Sequence, residues 1–235
     1  LPPVEPIDHN GAIPPLTDGD RLTRDEFMRR YEAMPNLRKA ELIEGVVYVP
    51  SPVSQRNHGN PHCRLAGLIF LYDARTPGVE SGDNSTVQLD LNNSRQPDAV
   101  LFIEPDHGGQ VRFDDKGYIV GAPELVAEVS ASTADDDLHG KLEAYERNGV
   151  QEYVVWRVFD REVDWFVLRD GRFEKLAPHP DGTLHSTTFP GLWLDPSALI
   201  EKDYDRLLAV LQSGLDSPEH AAFVARLQTT HPSAF

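Results

Sequence analysis

Two short runs constrain the fold of this chain more than any other feature. Ala99-Val100-Leu101-Phe102-Ile103 and Leu125-Val126-Ala127-Glu128-Val129 are almost unbroken by polar residues, and a proline stands just ahead of each, Pro97 and Pro123. Runs of this length and composition read as strands, and a strand that does not alternate is buried on both faces. At 235 residues and 40% hydrophobic content, the chain can bury a core of that kind. Each run also carries a carboxylate where burial is expensive: Asp98 at the mouth of the first, Glu128 inside the second.

Other segments supply the flanking elements. Thr23-Arg24-Asp25-Glu26 is a capping box that opens a short helix before Pro35. Residues 41–49 read as one strand. Asn60 and Pro61 suit an N-cap and first helical position, and Leu65, Leu68, Ile69 and Tyr72 follow at helical spacing. Thr86-Val87-Gln88-Leu89-Asp90-Leu91 alternates as a strand should. Ser132 and Thr133 can cap a helix that opens on the acidic triplet Asp135-Asp136-Asp137 and closes at Asn148-Gly149. Strands are expected over 152–158, 162–168 and 172–176, the last two joined at Arg169-Asp170-Gly171, and helices over about 202–213 and 217–228. The expected fold class is α/β (α+β): a mixed central sheet flanked by helices, with a C-terminal helical appendage. Its divisions are an extended Pro-rich arm (1–20), the main domain (21–195) and a helical segment (196–235).

Several functions are excluded at this point. No P-loop, dinucleotide-binding glycine fingerprint or G-x-S-x-G elbow is present. One cysteine, Cys63, rules out a disulfide framework and a Cys-based zinc finger. Its place on an apolar helix favours a structural cysteine over a nucleophile. His58 and His62 have the i,i+4 spacing of a metal-binding helix, but Pro61 between them is expected to put His58 outside it. That favours capping or rim histidines over a zinc pair. No run approaches a membrane span, and no secretory signal is visible, so a cytoplasmic protein is expected. Against 22 basic residues stand 38 acidic ones, a net charge of −16, the reverse of a protein that coats phosphates with Lys and Arg.

Taken singly, Asp98 reads as a strand-end cap and Glu128 as a carboxylate on a wet strand face. Lys141 changes that balance. On a 3.6-residue wheel it shares a face with Leu138, Leu142 and Tyr145, so it points along the side that packs on the sheet. Stem burial with a snorkelling head is the plain explanation; a positive partner for two strand carboxylates at a divalent-cation site is the functional one.

The words around these residues resemble a known family. Pro97-Asp98 followed thirty residues on by Glu128-Val129-Ser130 is similar to the PD-(D/E)XK nuclease pattern. Within that superfamily the chain resembles the "putative restriction endonuclease" family, formerly catalogued as a domain of unknown function. The residues that carry this are Glu41-Leu42-Ile43-Glu44-Gly45, Pro50-Ser51-Pro52 with His58, Pro123 to Ser130, Lys141 with Tyr145, Gly149 and Glu152-Tyr153, spread over about residues 23–176. The resemblance implies a restriction-endonuclease-like domain over 21–195. It implies Asp98, Glu128 and the Val129 carbonyl as ligands of Mg2+ (or Mn2+), and Lys141 as the group that orients water or offsets transition-state charge. Glu41 would complete the site, with Glu44 the second choice. The superfamily at large carries its lysine two places after the glutamate; this chain has Ser130 there, and Lys141 on the next helix takes that place. DNA is the implied partner, and a homodimer could build a groove from the C-terminal helices or the hairpin. Arg56, Arg64, Arg95 and Arg112 are the basic residues expected near the cleft. The alternatives are a catalytically inactive binding or assembly module, and a small-phosphoester hydrolase, which suits the acidic surface better.

Overall fold

The computed structural model describes residues 13–49, 54–131 and 135–230. Most of the expected arm, the Pro50-Ser51-Pro52 word and the caps Ser132 and Thr133 lie outside the described residues, as do the side chains of 135–139.

Thr23 caps α1 (Arg24–Glu32) by accepting the Glu26 amide at 3.4 Å, but Glu26 turns its carboxylate to Arg29 and Arg30 instead of back to the cap. The 41–49 run is two strands, not one. β1 (Glu41–Ile43) and β2 (Val46–Tyr48) pair across Glu44-Gly45, whose φ angles of 50° and 75° are those a two-residue type I′ hairpin requires. Ser54 caps a π-helical turn, Gln55–Gly59, which runs directly into α2 (Asn60–Asp73). Pro61 lies in the first turn of α2, where no amide hydrogen is needed, so the helical path crosses it and keeps His58 in register with His62. Asn60 is thus the first helical residue and not a cap.

The chain continues through β3 (Val79–Asp83), β4 (Val87–Asp90), β5 (Asn93–Arg95), β6 (Ala99–Ile103), the short β7 (Arg112–Phe113) and β8 (Ile119–Val120), and β9 (Leu125–Ser130). Then come α3 (Asp135–Asn148), β10 (Glu152–Arg157), β11 (Glu162–Arg169) and β12 (Arg172–Lys175), β13 (Leu184–His185) and β14 (Trp193–Leu194). Three helices close it: α4 (Pro196–Glu201), α5 (Tyr204–Leu215) and α6 (Pro218–Thr230). In place of one central sheet there are two six-stranded ones, in the orders β2-β1-β5-β4-β8-β7 and β12-β11-β10-β9-β6-β3, plus the β13-β14 pair. β9 and β10 run parallel, which obliges a long crossover, and α3 provides it.

The two apolar runs, now β6 and β9, are neighbours in the second sheet and are buried nearly throughout. One core cluster lies between this sheet, α2 and the C-terminal helices: Leu207, Leu211, Phe223 and Leu227 are packed into it with Leu101, Leu125 and Trp156. The apolar faces of the C-terminal helices, one of the two surfaces expected to build a dimer groove, are thus mostly covered by the chain's own core, with Leu208 left exposed. Glu152, fully buried, ties down the segment that leads there, accepting from Trp165 Nε1, Ser186 Oγ, Thr187 N and Oγ1, and Thr188 N at 2.7–3.0 Å. No helix among the described residues is long and apolar enough to cross a membrane.

Candidate active site

Residues directly opposite in an antiparallel pair project to the same face. β6 and β9 pair Ala99 with Ala127 and Val100 with Val126, so one step further Asp98 stands opposite Glu128 on a common face. The ladder ends there, and Asp98 Oδ2 accepts the Val129 amide at 2.7 Å where a strand carbonyl would otherwise stand. A strand residue's carbonyl leaves on the same edge as its amide, which turns the Val129 carbonyl to that edge too.

α3 brings two groups to Glu128. Tyr145, fully buried, donates its hydroxyl to Oε1 at 2.9 Å, and Lys141, one turn earlier, places Nζ 3.3 Å from Oε2. The wheel's inward face is thus the one that meets the strand carboxylate. Glu41, buried on β1, accepts the Gln96 amide at 2.8 Å and so braces the Gln96-Pro97-Asp98 segment. Glu44 does not join: it sits in the hairpin turn, half exposed, paired with Arg147 at 2.6 Å.

Charge is unevenly balanced here. Burial pushes the Glu128 carboxyl above its usual range; Lys141 offsets part of this, while Asp98 and Glu41 add to it. Burial also pushes on Asp98, but the hydrogen bond and charge of His58, the Val129 amide and the charge of Lys39 outweigh it, leaving Asp98 below the usual range. Burial and the Glu128 charge raise the Tyr145 phenol well above normal, so it stays a donor.

Three residues add to the site beyond those expected there: Lys39, which no sequence pattern marks, and His58 and His62, whose spacing is plain but which were expected to be parted at Pro61. Lys39, between α1 and β1, acts on both carboxylates by charge alone. His58 Nε2 lies 3.3 Å from Asp98 Oδ2, and His62 Nδ1 4.0 Å from Oδ1. The expected basic residues are placed differently. Arg95 is fully buried, 5.5 Å over the Tyr145 ring, with Nε and Nη1 lacking hydrogen-bond partners among the described residues. Arg64 lies over Trp156 at 4.6 Å and donates to the Leu199 carbonyl. Only Arg56 and Arg112 of the four are exposed. Cys63 is exposed as well, off the buried face that Leu65, Leu68 and Tyr72 define, which corrects its reading as a core residue.

The architecture is a mixed α/β one shared with a solved structure. It resembles the crystal structure described as "a putative nuclease belonging to DUF820" from Anabaena variabilis, with TM-score 0.60 and 19% identity over 77% of this chain and 98% of that one. The model of the Uma2 family, described as "Putative restriction endonuclease", matches residues 24–197, and the chain belongs to that family. No curated protein matches it.

Proposed function

We propose that this protein is a divalent-metal-dependent endonuclease that hydrolyses DNA phosphodiester bonds. The observation that carries this reading is the meeting of Asp98, Glu128 and Lys141 on one side of the sheet, with Glu41 braced beside them. Family membership and fold point the same way.

The residues fit a hard cation. Asp98, Glu128 and the Val129 carbonyl are oxygen donors at the point where two strands part, and Mg2+ or Mn2+ takes one or two carboxylates while retaining water. Three buried carboxylates, Glu41, Asp98 and Glu128, gather at one place, a concentration of oxygen donors that Lys141 and Lys39 only partly offset at Glu128. A bound cation would supply Lewis acidity at the phosphoryl oxygen and lower the pKa of a water beside it.

The chain's own groups then have separate tasks. Tyr145 locks Glu128 in one orientation through Oε1, leaving Oε2 toward Lys141. Lys141 donates to the attacking water or to the phosphate oxygen on which charge accumulates. Glu41 holds the backbone from which Asp98 projects. Ser130 carries no charge to contribute, which leaves the cationic role to Lys141.

Supercoiled-plasmid nicking with Mg2+ and with Mn2+ tests the reading. Wild type should nick only with metal, and D98A, E128Q and K141M should each lose about 100-fold or more. No nicking by wild type with either metal overturns it. Turnover of a nucleotide-sized phosphodiester alone would assign the site to small phosphoesters. Metal binding without any turnover would make the domain a binding module.

A further inference from the structure

Glu128 is not the only metal-ligating neighbour of Asp98. His58, His62 and Asp98 each present one ligand atom, and these lie within 4.8 Å of one another. In a tetrahedral zinc site with bonds of about 2.0–2.1 Å, neighbouring ligand atoms are about 3.3 Å apart. His58 Nε2 and Asp98 Oδ2 already stand at 3.3 Å, and the two imidazoles meet edge to face, with centroids 5.7 Å apart. Small side-chain rotations close the rest.

The backbone and the surroundings favour this arrangement. At the end of Gln55–Gly59 the amides reach back five residues, Gly59 N to the Ser54 carbonyl at 3.1 Å and Asn60 N to the Gln55 carbonyl, a widened turn that occurs often at functional sites. His62 Nε2 lies 2.5 Å from Asp83 Oδ1 and 2.9 Å from the Asp98 carbonyl. Two acceptors there place the proton on Nε2 and leave the Nδ1 lone pair facing Asp98. A carboxylate behind a ligating histidine is the usual support of a metal-bound imidazole. Beside the group opens a cavity of about 490 Å3 lined by Gly59, His62, Cys63, Asp83 and Ala99, room for a water or substrate atom at further coordination positions.

We infer that His58, His62 and Asp98 form a second cation site, selective for a borderline transition metal of the Zn2+ type, with Asp83 as the positioning carboxylate of His62. Imidazole nitrogen suits Zn2+, whereas Mg2+ prefers oxygen, so the two sites differ in ion while sharing Asp98. The inference does not rest on nuclease activity, since binding can be read without turnover.

Calorimetry on the untagged, chelator-stripped full chain, with Zn2+ and Mg2+ alone as probes, tests it. Wild type should take up one Zn2+ with a Kd of about 10 µM or tighter. H58Q and H62Q should each weaken Zn2+ by about 100-fold, and D83N by about 10- to 100-fold. D83N, which does not touch the Asp98 carboxylate, should leave Mg2+ binding unaltered, and E128Q should lose Mg2+ while keeping Zn2+. Thermal melting with and without Zn2+ confirms that each variant is folded and repeats the ranking independently. Zn2+ binding that survives H58Q and H62Q, or none in the stripped wild type, overturns the inference; loss of Zn2+ in E128Q would move the ion to the carboxylate pocket and overturn it too.

Discussion

Replacing Glu128 by glutamine separates what the pocket costs from what it does. The glutamine keeps the shape of the protonated acid and removes the charge. In the ionised form that charge is buried, with Lys141 3.3 Å away. At an effective dielectric constant of about 20 this attraction is about 5 kcal/mol. Desolvating two ions costs several kcal/mol each, and Asp98 and Glu41 repel the third carboxylate. The raised carboxyl of Glu128 says that burial outweighs the attraction, so the neutral form suits this site better. Against this, taking one partner from a buried ion pair leaves the other uncompensated, a loss of about 3–5 kcal/mol where that partner is fully buried. Lys141 keeps contact with solvent, so the two effects offset and the net change should stay within about 1 kcal/mol either way. In a chain of this size that moves Tm by no more than about 4 °C. Mg2+ should separate the two proteins: at 100 times its Kd a ligand adds about 2.7 kcal/mol to the wild type, and E128Q should gain nothing. The assay is thermal unfolding by circular dichroism of both proteins in chelator and in saturating Mg2+. A Tm difference in chelator well beyond about 4 °C, or E128Q gaining as much from Mg2+, would refute the reasoning.

Glu152→Gln should destabilise by about 3–5 kcal/mol in urea unfolding, since either amide orientation turns an NH2 group toward at least two of the five donors that the buried carboxylate accepts; a loss under 1 kcal/mol would show that the 186–189 segment is held by packing alone. Glu26 is lowered from 4.5 to about 2 by its hydrogen bonds to Arg29, against the opposing effect of burial, and then by Arg30. Its stabilisation is therefore complete above pH 4.5 and fades as pH falls toward 2. Those ion pairs are solvent-screened, so Glu26→Gln should cost only about 1 kcal/mol at pH 7, a difference that denaturant melts between pH 7 and pH 3 should find shrinking; a constant difference would disprove the linkage.

The legible parts of this fold are those in which side-chain chemistry repeats along the chain. β6 and β9 announce themselves by unbroken apolar runs, and the α3 wheel puts Lys141 on the sheet side before any contact is known. β5 is the opposite case: Asn93, Ser94 and Arg95 are all polar and all buried, so no hydrophobic pattern marks them. Their place depends on partners distant in sequence, such as Glu44 for Asn93. That is why one sheet was expected and two exist. The β1–β2 hairpin was hidden because Glu44, a residue that seldom takes positive φ, occupies a turn position usually held by Asn, Asp or Gly. His58 and His62 had the right spacing, but the expected break at Pro61 obscured their convergence. Lys39 touches the site through charge alone, a relation only the folded chain creates.

The net charge of −16 sets the terms on which such a site could meet DNA. In the pocket Glu41, Asp98 and Glu128 gather beside Lys39 and Lys141, with Arg95 buried behind the Tyr145 ring. A divalent cation would be the largest single charge there, so the ion weighs most in the local field. Arg38 and Lys116 line the adjoining cleft, but its rim also carries Glu80 and Asp83. Neutralisation of about two or three phosphates is the most this surface supports, which gives a slope of log K against log salt of about −2 to −3. K141M, in which hydrolysis is suppressed, allows the measurement by fluorescence anisotropy of a labelled duplex between 50 and 200 mM salt, with Mg2+ and with chelator. Affinity should fall at least tenfold when metal is removed. A slope steeper than about −5, or equal affinity in chelator, would require a basic surface elsewhere on the molecule and would refute control by the cation.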